Sequence, residues 1–231
     1  EDKRPERSER WLNAIVQRQT APHEKRITGD TAHHFLPHLC TAINHADEID
    51  FAVAFIKTTG LRLLLPDLQA ALASGGERNR PSARLRLVTS DYLDVTDPEA
   101  LRLLMLLQEH GAQVRMFEAA GGSFHMKAYL FTSAHDDRGT QGTAFIGSSN
   151  ISRQALKDGL EWNYRIEYPG DEGFVEARAR FEALFQHPKA TALTDAWIDA
   201  YEQRRIPPPR PIAPGSNETE TPPTPSPTAS S

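Results

Sequence analysis

The sequence predicts an α/β protein: a mixed β-sheet flanked by helices on both faces, followed by a disordered C-terminal tail. Three observations carry this. Short apolar, β-branched runs alternate with longer stretches of helical periodicity, as in a sheet layered with helices. The run Ile49 to Ile56 is apolar almost throughout, as expected of a strand buried on both faces. After Arg205 the chain turns to Pro, Thr, Ser and Glu with no apolar period, too little to offset the entropy of ordering it.

The elements follow in order. Residues 1–26 form a charged N-terminal segment with one amphipathic turn around Trp11, Leu12, Ile15 and Val16. From Thr31 to His45, Phe35, Leu36, Leu39, Ala42 and Ile43 fit a helix, with Asp30 or Thr31 as its N-cap. Ile49 to Ile56 is a strand, and Leu61 to Ala73 a helix closed by Gly75-Gly76. A second unit repeats the pattern: strand Leu85 to Thr89, helix Pro98 to His110 with proline at its start, strand Gln113 to Phe117. Strands at about 126–132 and 143–147 follow, then a helix that Asn150 begins, Ile151 to Lys157, and a strand from Trp162 to Tyr168. Gly173 to Phe185 is a helix with a Phe-rich stripe, and Ala192 to Tyr201 a shorter one. The domain organisation is therefore a body over 27–190, a C-terminal helix over 191–205, and a tail or linker over 206–231.

Composition narrows the class. With 25% charged and 39% hydrophobic residues among 231, the chain is an ordinary globular protein with one substantial core. A net charge of −5 neither predicts nor excludes nucleic-acid binding, which depends on local basic patches. The one cysteine, Cys40, cannot close an intramolecular disulfide, which fits a reducing, cytoplasmic setting. No signal peptide and no membrane span is expected. The chain opens on Glu1 rather than Met, as a processed chain or a piece of a longer protein would.

The chemistry concentrates in one place. His-x-Lys occurs three times, as His23-Glu24-Lys25, His125-Met126-Lys127 and His187-Pro188-Lys189. Only the middle copy opens an apolar run, Ala128 to Phe131, and only it is followed by a second run that ends in Gly147-Ser148-Ser149-Asn150. In a strand, residues i and i+2 face the same side, so His125 and Lys127 point together. A nucleophile, a cation and a polar amide on neighbouring strands are the groups needed to attack a phosphodiester without a metal, and no cofactor is expected.

His125-x-Lys127 with Gly147-Ser148-x-Asn150 resembles the signature of the phospholipase D superfamily. The wider pattern, Gly147 to Ser152 followed by Ala155-Leu156 and Gly159 to Asn163, resembles its nuclease branch: metal-independent endonucleases, restriction enzymes and nuclease domains fused to helicases. Ile49 to Phe55 with Thr59-Gly60-Leu61 resembles that branch's first strand and helix, and the likeness spans roughly Ile27 to Gln186. The chain departs from the pattern at Thr132, where the superfamily usually has an aspartate.

The resemblance implies roles. His125 is the nucleophile and forms a phosphohistidine, Lys127 and Asn150 hold phosphoryl oxygens, and Glu161 orients an imidazole. Ser148 shapes the turn and supports the site. The single signature implies a homodimer in which the second copy of His125 protonates the leaving group. The expected partner is nucleic acid, DNA rather than RNA, with an associated or fused helicase or ATPase and a restriction or defence context. Arg78, Arg80 and Arg84 are candidate phosphate-steering residues. Trp162, Tyr164 and the Phe stripe read as core. His33, His34 and His38 have helical spacing but no matching carboxylate, and read as a solvated face. Two other readings stay open: a catalytically weak nucleic-acid-binding or dimerisation module, and a lipid phosphodiesterase.

Overall fold

The computed structural model describes residues 27–29, 33–73, 81–135 and 139–206. An eight-stranded mixed sheet runs through it in the order β1-β7-β6-β5-β2-β3-β4-β8. The strands are β1 (Ile27–Thr28), β2 (Glu48–Val53), β3 (Arg84–Ser90), β4 (Gln113–Phe117), β5 (Lys127–His135), β6 (Gly139–Gly147), β7 (Asn163–Tyr168) and β8 (Ala190–Ala192). β2, β3 and β4 are parallel, joined by helical crossovers, while β5, β6 and β7 form an antiparallel meander added to β2.

The helices are α1 (Phe35–His45), α2 (Thr58–Leu72), α3 (Pro98–Glu109), α4 (Gly173–Phe185) and α5 (Asp195–Arg204). They cover the sheet unequally. α1, α2, α3 and α5 bury Phe35, Leu39, Leu64, Leu104 and Tyr201 against Ile49, Phe51, Leu87, Met116 and Tyr129 on one face. On the other face, among the described residues, α4 alone packs Phe174, Phe181, Leu184 and Phe185 onto Ala52, Val88, Leu130 and Ala144. Alternation along β2 and β5 divides these two sets, so each strand feeds both cores.

α4 is anchored by charge as well as by packing. Arg86 makes a paired contact with Asp50, Nε to Oδ1 at 2.8 Å and a terminal nitrogen to Oδ2 at 2.9 Å, and reaches Glu182 on α4 at 2.6 Å. Its guanidinium lies 5.0 Å from the centroids of both Phe181 and Phe185. Hydrogen bonding to Arg86 holds the Glu182 carboxyl below its ordinary pKa.

Several expectations shift. β2 ends at Val53, not Ile56, because the chain then leaves the sheet and Ile56 makes an isolated parallel bridge to Ile151. α1 begins at Phe35, and the expected N-cap at Asp30 or Thr31 lies outside the described residues. Asn150 starts no α-helix: a five-residue π-helical turn forms at Gln154–Asp158 instead. The last helix begins at Asp195, capped by Thr194, whose hydroxyl accepts from the Trp197 amide at 3.2 Å. Its Ile198 and Tyr201 are buried in the same core as α3. The charged turn around Trp11, Gly75-Gly76 and the tail beyond Ile206 lie outside the described residues. Among the described residues no helix is long and apolar enough to cross a membrane.

Candidate active site

Register brings the signature residues to one edge of the sheet. Val53, the last residue of β2, pairs with Lys127, the first of β5, and Gly147, the last of β6, pairs with Asn163, the first of β7. The carboxyl ends of β2 and β6 thus meet the amino ends of β5 and β7. In open α/β sheets this edge, at the carboxyl ends of the parallel strands, is where ligands bind.

His125 sits just ahead of β5, exposed, while Lys127 is buried. The Lys127 Nζ lies 2.8 Å from His125 Nδ1 and donates to the His125 carbonyl at 3.0 Å. Burial pushes the Lys127 pKa below the ordinary lysine value, and the nearby charge of Glu161 offsets part of that. An ammonium donating to Nδ1 leaves the ring proton on Nε2. In that arrangement one ring nitrogen is occupied and the other protonated.

Asn150 is buried, and its role differs from the expected helix start. Its Oδ1 accepts from the Phe55 amide at 3.1 Å, at the end of β2. With the oxygen committed there, the NH2 end is left as the donor. The turn carrying Asn150 is held from below. Asn163 Nδ2 donates to Ser149 Oγ at 2.9 Å and to the Thr28 carbonyl at 3.4 Å, and Tyr129 Oη donates to the Ser149 carbonyl at 2.8 Å. Gly60 lets α2 approach it: a Cβ there would lie 2.4 Å from Ser152 Cα. Asn163 and Tyr129 are supports that sequence reasoning missed, although Tyr129 stands two residues beyond Lys127 on the same face.

Glu161 accepts a hydrogen bond from the Ser148 hydroxyl, and Ser148 Oγ in turn accepts from the Trp162 amide at 3.0 Å. Within one chain the carboxylate is therefore fixed by Ser148 and acts electrostatically on Lys127. Gly147 is required for this closure, since a Cβ there would lie 1.9 Å from the Trp162 carbonyl oxygen.

Other expected residues fall elsewhere. Arg84 pairs with Glu48, which is also opposite Thr132. That row is five residues along the strands from Lys127, about 17 Å away. The Arg84 side chain is engaged by Glu48 at 2.9 Å and Asp50 at 3.5 Å, so it stands apart from the site. Thr132 is equally remote, and the residue in that position does not touch His125. Arg78 and Arg80 lie outside the described residues. Among the described residues, no three His, Cys, Asp or Glu side chains are grouped to hold a metal ion.

Trp162 and Tyr164 are not core. Among the described residues nine large apolar side chains are exposed, and six of them ring this edge: Leu93, Met126, Ile146, Leu160, Trp162 and Tyr164, at 40% to 76% exposure. Ala128, Ile146 and Tyr164 are successive cross-strand partners, which makes one continuous row. Hydrophobicity alone reads such residues as core; their place at the ends of β6 and β7 leaves them outside it.

The loop after β3 closes the other side. Tyr92 presents its ring to His125, centroids 6.5 Å apart and planes at 83°. The next two residues, Leu93 and Asp94, have φ of 57° and 54°. Left-handed backbone costs an L-residue with a Cβ roughly 1–2 kcal/mol. The loop is held there by α5 and the residues after it: Arg204 reaches Asp91 Oδ2 at 2.7 Å, Arg205 Nε donates to the Asp94 carbonyl at 2.8 Å, and Tyr201 Oη donates to the Thr96 carbonyl at 3.0 Å.

A histidine, a buried ammonium and an oriented amide at the carboxyl edge of a mixed sheet form an arrangement suited to a tetrahedral oxyanion. The chain belongs to the phospholipase D-like domain family, whose model, described as "Cardiolipin synthase, PLD-like domain", matches residues 39–187. That span contains His125, Lys127, Ser148, Asn150 and Glu161. The fold is similar to those of several solved structures. Nuc from Salmonella typhimurium, a phospholipase D family member, is 12% identical over 72% of this chain and 95% of that one, with a TM-score of 0.48. NucT from Helicobacter pylori is 15% identical over 68% and 89%, with a TM-score of 0.40. Polyphosphate kinase from Porphyromonas gingivalis is 13% identical over 75% and 29%, with a TM-score of 0.47. No curated protein matches the chain.

Proposed function

We propose that the chain is a phosphodiesterase of the nuclease type, cleaving DNA through a covalent phosphohistidine on His125. The observation that carries this reading is the contact between Lys127 Nζ and His125 Nδ1, 2.8 Å apart, with the Asn150 oxygen held by the Phe55 amide so that its NH2 end is left to donate. The scissile phosphate takes Lys127 and Asn150 as partners for its non-bridging oxygens. The freed imidazole nitrogen attacks phosphorus, the P–O bond to the leaving sugar breaks, and that oxygen takes up a proton. Water then attacks the phosphohistidine, giving a phosphate monoester and restoring the imidazole. Lys127 and Asn150 supply the charge stabilisation, so no metal is required.

The proton donor is His125 of a second copy, so the acting species is a homodimer. The six exposed apolar residues around the site support this, because a second copy seated there would bury them. A restriction or defence role and an associated helicase or ATPase remain part of the proposal, as the contexts that the nuclease resemblance implies. The test is cleavage of plasmid and short oligonucleotides by the full chain in EDTA. Turnover that His125→Ala abolishes supports the reading. Equal trace cleavage by both proteins overturns it. Binding without turnover by either protein would instead favour the non-catalytic module, and release of headgroup from phosphatidylcholine a lipid substrate.

A further inference from the structure

We infer that Tyr92 is a positioning residue for His125, held in place by a left-handed loop that the C-terminal end of α5 clamps. The inference rests on His125 being the nucleophile. His125 is exposed and precedes β5, so the sheet alone does not fix its ring. Two groups meet it from opposite elements. Lys127 contacts Nδ1 at 2.8 Å, and Tyr92 stands edge-on at 6.5 Å and 83°. Lys127 must leave the ring when phosphate arrives. Tyr92 is then the contact that remains to keep the imidazole aimed.

The loop is built to hold that ring. Tyr92 is half-buried and packs against the cluster that contains Ala54, Val88 and Phe124. Its amide donates to Ser90 Oγ at 3.3 Å, and Ser90 Oγ donates to the Ala54 carbonyl at 2.8 Å. The two left-handed residues that follow, Leu93 and Asp94, turn the chain back, and no glycine relieves them. Such a conformation persists only where the surroundings enforce it. Here they do: Asp91 accepts from the Ala119 amide at 2.8 Å and from Arg204 at 2.7 Å, while Arg205 holds the Asp94 carbonyl at 2.8 Å. The Ile206 amide adds a bond to Asp94 Oδ2 at 3.3 Å. The last residues before the C-terminal segment are thereby tied, through one loop, to the nucleophile.

The experiment compares wild type, Tyr92→Phe, Tyr92→Ala and Arg205→Ala, all as the full chain. The ring-nitrogen and ring-proton NMR signals of His125, assigned by their loss in His125→Ala, are recorded beside kcat and KM on an oligonucleotide. Tyr92→Phe keeps the ring and is expected to retain wild-type signals and kcat. Tyr92→Ala is expected to shift or broaden the His125 signals and to lower kcat about 10–100-fold with KM little changed. Arg205→Ala is expected to move the same signals in the same direction, less far. Unmoved signals in Tyr92→Ala, or equal losses in the Phe and Ala variants, would overturn the positioning role. Unmoved signals in Arg205→Ala would overturn the clamp. Absence of turnover in wild type would count against the nuclease reading alone, since the spectra still decide the role of Tyr92.

Discussion

Lys127 Nζ occupies His125 Nδ1 at 2.8 Å, so the site at rest holds its cation against the proposed nucleophile. A tetrahedral oxyanion should break that contact. Titrating the full chain with tungstate is expected to shift the His125 ring-nitrogen signals of wild type, and to leave them nearly unmoved in Lys127→Ala. Turnover in Lys127→Ala is expected to fall about 10²–10³-fold, as for loss of one oxyanion donor.

The pH profile carries a sign. Lys127 acts as a cation only while protonated, and burial holds its pKa below the ordinary 10.5. Its charge is present at low pH and is lost as pH rises through that lowered value, so the alkaline fall in kcat/KM should begin below 10.5. Glu161 raises the Lys127 pKa, so Glu161→Gln should move the fall to still lower pH. Lys127→Arg, whose guanidinium stays charged, should move it upward even if the maximal rate drops. Rate profiles of the three proteins check the order.

Arg86 is expected to matter to stability rather than turnover. Asp50 is buried and bonded to it through two nitrogens, so Arg86→Ala strands a carboxylate in the core. A loss of about 3–5 kcal/mol in urea unfolding is expected. Replacing both partners, as Asp50→Leu with Arg86→Met, should recover most of it.

The apolar ring predicts association. Trp162→Glu and Ile146→Glu should each shift sedimentation toward monomer, and specific activity should fall with dilution at higher protein concentration than in wild type. Full activity from a variant that sediments as a monomer would remove the second copy from the mechanism.

The six longer strands were legible because β-branched and aromatic runs bounded by turn residues mark them, whereas the two- and three-residue β1 and β8 are too short to carry such a pattern. β4 spans Gln113–Phe117 and α4 spans Gly173–Phe185, as expected from the pattern alone. The spacing of His125, Lys127 and Asn150 was legible because hairpin register converts sequence distance directly into position. What sequence hid was long-range. The Asn150 side chain resembled a helix cap, but its oxygen is taken by Phe55, 95 residues upstream. Arg84 resembled part of a basic patch until parallel pairing set it beside Glu48 and Asp50. Tyr92 gave no signal, because its loop takes left-handed backbone at Leu93 and Asp94 rather than at glycine.

The most direct test is to trap the intermediate. The full chain is mixed with an end-labelled oligonucleotide, quenched in alkali during turnover, digested and mapped by mass spectrometry. A phosphoryl-linked nucleotide on the peptide containing His125, absent from His125→Ala, is the predicted result. Product accumulating with no adduct on that peptide, or an adduct that persists in His125→Ala, would contradict the account.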